Sequence, residues 1–194
     1  GIPLAVLRDG ADEKAALLQN LFDEIYITDI FKRNRVKNQG ELEDLLNILS
    51  SAIGSLTNPE KLKNTFKTIK RSNITAKTIK KYLDYFEDSF LIESAQRYDI
   101  KGKAYIETPK KYYFSDLGLR NARINFRQFE QTHSMENVIY NELIAKGYDV
   151  YIGKTKKGEV DFVVTRDKEI KYIQVCYYLT TEEKNRLNMF IFIK

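Results

Sequence analysis

The sequence predicts an α+β chain with its helices first and most of its strands later. Three observations carry that class. Apolar residues recur at helical spacing from about residue 13 to residue 90. Past residue 91 the pattern turns to short β-type runs separated by Gly and polar turns. One further amphipathic stretch, near residue 140, precedes three more strand candidates.

Composition bounds the rest. The chain has 194 residues, 43% hydrophobic and 30% charged, with 9 Gly and 3 Pro, which excludes collagen-like, low-complexity and largely disordered classes. That length suits one full domain or two small ones. The longest apolar runs, such as 189–193, fall short of the roughly 20 residues that span a bilayer, so no membrane partner is expected. Gly1-Ile2-Pro3-Leu4 has neither the basic nor the apolar region of a signal peptide. Cys176 is the single cysteine, which makes a reducing, cytoplasmic setting the simplest expectation. One Cys and one His, His133, do not make a structural zinc site.

Residues 13–36 place Ala16, Leu17, Leu21, Ile25, Ile27, Ile30 and Phe31 at helical spacing, as one long helix or two broken near Tyr26. A second helix is expected from Glu41 to Gly54, with Leu42, Leu45, Leu46, Leu49 and Ile53 on one face. Asn58-Pro59-Glu60 opens a short helix over 61–69, with Asn as cap and Pro at the first helical position. Thr75 starts another over 76–89, with Ile79, Leu83, Phe86 and Phe90 facing inward. Strands at 91–98 and 111–115 would form a hairpin turning at 99–103. Helix, helix, turn, helix, hairpin is the order of a winged helix-turn-helix.

The net charge is only +5, yet residues 61–81 hold eight basic residues and no acidic one. A solvated helix surface would explain this run, and so would a face that gains free energy by releasing counterions from DNA. On the second reading Thr75, Lys77, Thr78, Lys80 and Lys81 enter the major groove, and Lys101 and Lys103 touch the backbone from the hairpin tip.

The remaining chain reads as a helix over 135–146, with Val138, Ile139, Leu143 and Ile144 apolar and Gly147 as cap. Strands at 149–152, 159–165 and 170–177 follow, and 190–193 is a fourth candidate. Helix-acid, strand-Asp, strand-acid-x-Lys is the order of a PD-(D/E)XK nuclease core, in which three acids converge on Mg²⁺ and the lysine shares a strand face with the third. Glu136 and Asp161 stand at the first two stations, but Gln174-Val175-Cys176 occupies the third. Gln174 adds an oxygen without charge and Cys176 does not act as the lysine does. The expected catalytic set is thus degenerate, with Asp161 and Glu136 as weak Mg²⁺ ligands. Alternation places Asp161 with Glu159 and Val163, and Gln174 with Tyr172 and Cys176.

Residues 98–103, 111–121, 136–143, 147–153 and 159–163 together resemble the C-terminal region of prokaryotic AAA-type ATP-binding proteins, a region catalogued as a domain of unknown function. The resemblance implies a P-loop ATPase domain, then a winged helix, then a nuclease-like domain with a mixed or antiparallel sheet. No G-x-x-x-x-G-K-[ST] occurs here, so ATP would bind only in an ATPase domain preceding this chain. Residues 1–38 would be the tail of its lid, with Arg33 and Arg35 placed for nucleotide sensing or as plain helix ends. Residues 39–120 would form the winged helix and 121–194 a truncated nuclease-like domain. The expected function is DNA binding beside an inactive nuclease-like domain, with no cofactor in this chain. A protein-interaction module and a weakly active Mg²⁺-dependent nuclease are the alternatives.

Overall fold

The computed structural model describes residues 3–127, 131–156, 158–176 and 190–191. Helix α1 (Pro3–Val6) leads to α2 (Ala11–Leu21), which runs through a π-helical segment, Phe22–Ile27, into α3 (Thr28–Asn34). The break expected near Tyr26 is therefore a widened turn. Helices α4 (Gln39–Ser51), α5 (Pro59–Thr65) and α6 (Ala76–Asp88) each begin at a side-chain cap, Asn38, Asn58 and Thr75. Each cap accepts a backbone N–H three residues on, satisfying a donor that the helix leaves free. Phe90, expected to face inward, is 75% exposed. It takes a left-handed φ of 56°, which ends the turn after α6 and swings its ring outward.

Strands β1 (Ile92–Asp99) and β2 (Ala104–Phe114) form the expected hairpin, with β2 longer than the sequence suggests. Helix α7 (Leu117–Arg123) follows, an element the periodicity does not announce. Then come α8 (Gln131–Ala145), β3 (Asp149–Lys154), β4 (Glu159–Arg166), β5 (Glu169–Ile173), β6 (Val175–Cys176) and β7 (Phe190–Ile191). The strand expected over 170–177 divides at Gln174, and Tyr177 lies outside the described residues. Of the candidate strand 190–193, residues 190–191 pair with β6.

The hairpin is not a free wing. Strands β1 to β5 form one mixed sheet in the order β2-β1-β3-β4-β5, with β1 parallel to β3 and the other pairs antiparallel. Residues 111–114 of β2 are all buried, which requires cover on both faces. Ile92, Tyr112 and Phe114 pack into one core with Leu18, Phe22 and Ile30 of the first helices and Leu42, Leu83 and Phe86 of the later ones. Ala95 and Tyr113, on the opposite face, join Ile139, Tyr140, Phe162 and Ile173 in a second core under α8. The division expected at 38/39 falls between helices sharing the first core, and that at 120/121 falls inside α7. No helix among the described residues is long and apolar enough to cross a membrane.

Candidate functional site

Glu136, Asp161 and Gln174 line a single cleft of about 550 Å³, together with Lys61, Lys111 and Glu159. Glu136 comes from the first turns of α8, where it is buried. Its Oε1 accepts from the Tyr113 hydroxyl at 2.6 Å and from Lys111 Nζ at 3.0 Å. Lys111 and Tyr113 are two apart on β2, so one face of that strand delivers both to the same carboxylate. Lys111 also pairs with Glu159 Oε1 at 2.5 Å. Strands β1 and β3 lie between β2 and β4, so a flat sheet would hold those two backbones about 14 Å apart. The two side chains nevertheless meet.

A β-bulge aims Asp161. Gly153 pairs with Val160 and Tyr151 with Val163, so two steps on β3 face three on β4. A Cβ built at Gly153 would meet both Val160 and Val163 at 2.9 Å, which puts those two on the face away from α8. Asp161 thus shares its side with Phe162, and the pairing with Val163 expected from strict alternation does not occur. Asp161 Oδ2 accepts from Gln174 Nε2 and from the Val175 N–H, both at 2.6 Å. Gln174 occupies the one-residue break between β5 and β6, where Ile173 and Val175 on either side are buried. The side chain of Cys176 lies outside the described residues.

Charge in the cleft follows from burial. Burial alone would lower the Lys111 pKa, but Glu136 and Glu159 beside it hold it above its ordinary value. Burial raises the Asp161 carboxyl, against the pull of the Val175 N–H and Lys111. Burial, then Glu136, raises the Tyr113 phenol, which stays a neutral donor.

The Mg²⁺ that the resemblance implies does not fit these donors. Glu136 and Glu159 are already turned to an ammonium, and the Asp161 oxygen to two N–H donors. Among the described residues no group of three or more His, Cys, Asp or Glu is arranged to hold a metal ion. Sequence reasoning missed Lys111 and Tyr113. Both fall within residues 111–121, one of the segments that carry the resemblance, but nothing in that segment assigns them to the cleft.

The basic run is sorted by its surroundings. Lys63 pairs with Glu60 and Lys70 with Asp44, while Lys61 Nζ donates to the Leu56 carbonyl. Lys77, Lys80 and Lys81 are exposed on the first turns of α6, opposite the buried Ile79, Tyr82 and Leu83. Lys81 lies over the Tyr85 ring at 5.5 Å, and Lys80 borders a cleft with Asp84, Glu87 and Glu107. The Thr75 and Thr78 hydroxyls lie 3.0 Å apart, with Thr75 capping α6, so both are engaged within the helix start. Lys101 and Lys103 are exposed at the hairpin tip, which the Ile100 N–H ties to the Lys154 carbonyl of β3.

Residues 1–130 match the family described as a domain of unknown function (DUF8612). An uncharacterized protein of Haemophilus influenzae is 37% identical over 194 residues, covering 97% of this chain and 48% of its own length. An uncharacterized protein of Methanocaldococcus jannaschii is 29% identical over 190 residues, covering 96% of this chain and 42% of its own length. The chain thus spans somewhat less than half the length of these curated relatives. No solved structure matches it. Most of the chain, from the first helices through the hairpin and α7, falls within the match, and the protein belongs to the DUF8612 family of domains of unknown function.

Proposed function

We propose that this chain is the duplex-DNA-binding region of a longer, AAA-type ATP-binding protein, and that its nuclease-like part does not cleave DNA. The observation that carries the DNA reading is α6. One face of this capped helix is sealed into the core, and the other offers Lys77, Lys80 and Lys81 to solvent with no ion pair among the described residues. Three helices and a hairpin in winged-helix order stand behind it. The isolated bridge between Thr57 and Lys110 also supports that reading, since it ties the segment before α5 to the hairpin. The acidic end of α6, with Asp84 and Asp88 exposed, turns the approach to phosphate toward the helix start.

Changing Lys77, Lys80 and Lys81 together to Ala should weaken binding to duplex DNA. The slope of log affinity against log salt should fall by about 0.9 for each phosphate that is no longer neutralised. A folded triple variant with unchanged affinity at low salt would remove the groove assignment and favour a protein-docking role. Metal-dependent nicking is the second reading: Glu136, Asp161 and Gln174 do converge on one cleft, but the donors there are turned to Lys111, Gln174 and Val175, which counts against it. Plasmid incubated with Mg²⁺ and the unmodified chain should stay supercoiled.

A further inference from the structure

We propose that the Lys111 ammonium is a built-in substitute for a metal ion, seated between Glu136 and Glu159 so that the cleft does not take up a divalent cation. The inference needs only the cleft, and it stands or falls separately from DNA binding by α6.

The position of the charge makes the case. Lys111 Nζ lies 3.0 Å from Glu136 Oε1 and 2.5 Å from Glu159 Oε1, and the Lys111 and Glu136 side chains are each 6% exposed. Buried carboxylates need a cation or strong donors close by, because the cost of removing them from water is otherwise unopposed. Here the counter-charge is covalently attached, supplied by β2, and Tyr113 adds a neutral donor to the same Glu136 oxygen. A divalent ion entering the cleft would compete with Lys111 for both oxygens and meet its positive charge at close range. Small divalent ions bind through carboxylate and other oxygen ligands, and the Asp161 oxygen is already turned to Gln174 and Val175. The lysine sits on a different strand from the acid-x-Lys position, where Cys176 stands. Its role is correspondingly different: it fills the centre of the acids.

Mn²⁺ titration of the chain, followed by the loss of the free-ion EPR signal, tests this. The wild-type chain should show no Glu136-dependent Mn²⁺ binding at millimolar concentrations. Lys111→Met should bind Mn²⁺ about tenfold or more tightly than the wild type, and adding Glu136→Gln should abolish the gain. Lys111→Arg keeps the charge and should remain free of metal. If Lys111→Met is unfolded without metal, Mn²⁺ should restore its circular dichroism spectrum, because the ion then supplies the missing counter-charge. Three results would overturn the inference. One is wild-type Mn²⁺ binding that Glu136→Gln removes. Another is a Lys111→Met chain that neither binds Mn²⁺ more tightly nor refolds with it. The third is Mg²⁺-dependent plasmid nicking by the wild type that Lys111→Met loses, which would make Lys111 part of a working centre.

Discussion

Asn137 does for β2 what a neighbouring strand would do. It is wholly buried on α8, where its side-chain oxygen accepts from the Phe114 N–H at 2.8 Å and its amide donates to the Phe114 carbonyl at 2.7 Å. β2 is an edge strand, and these bonds satisfy backbone groups that the sheet leaves open. Asn137→Ala should cost about 1–3 kcal/mol, read by urea unfolding, for the Phe114 N–H left unpaired, since Asn141 still donates to the Phe114 carbonyl at 3.0 Å. A loss below that range would mean water replaces the amide. Asp161 gives a test in pH. Its folded-state pKa is raised above 3.8, so the folded chain holds this proton more tightly than the unfolded chain does. Its contribution to stability therefore falls as pH rises from 3.8 through the folded-state value. Asp161→Asn does not titrate, so unfolding across that interval should show the wild type losing stability relative to the variant as pH rises. A pH-independent difference would contradict the burial argument. Glu136 and Asp161 were legible as residues because their order along the chain is chemical. Lys111 and Tyr113 were not, because nothing local in a strand tells which helix will lie across it.

At the scale of elements, α6 was the most legible. A threonine cap, a run of lysines and apolar residues at 79, 83 and 86 specify both the helix and its buried face. Leu83, Phe86, Leu91 and Ile92 are buried in one core, as the packing of this helix on its own hairpin requires. Leu83→Ala should destabilise the chain by about 2–5 kcal/mol, measured by chemical unfolding, through reduced burial and the cavity left behind. Strand β4 was legible only in part. Its apolar pattern marks a strand, but counting by twos fails at the inserted residue, and only the three-dimensional register with β3 exposes the bulge. Val138 misled in the same way. It fits an apolar helical stripe yet is 54% exposed, because α8 rests on the sheet through Ile139, Tyr140 and Leu143.

At the scale of the molecule, the hairpin is the partition between two cores, one under the helices and one under α8. Such a shared wall couples them, and a two-stranded hairpin has little stability alone. A chain ending at Arg127 would keep the first core but uncover Ala95 and Tyr113. It should unfold at lower denaturant than the 194-residue chain and bind the dye ANS. An equally stable, dye-silent fragment would show that the second core is dispensable. This arrangement was the least legible feature, because the partner of β1 in the sheet lies beyond two helices. That same pairing has a kinetic side. Arg97 meets Ile152 in parallel only after α7 and α8 have been laid down between them. Parallel strands need such a crossover, and closing a long loop costs entropy before its pairing returns anything. The hairpin joins nearest neighbours in sequence and sets quickly, whereas α2 meets α7 from far along the chain. The β1–β3 seam is one of the long closures still to be made, and until it closes the lengthwise edge of β1 stays open to any other strand, including that of a second copy of the chain.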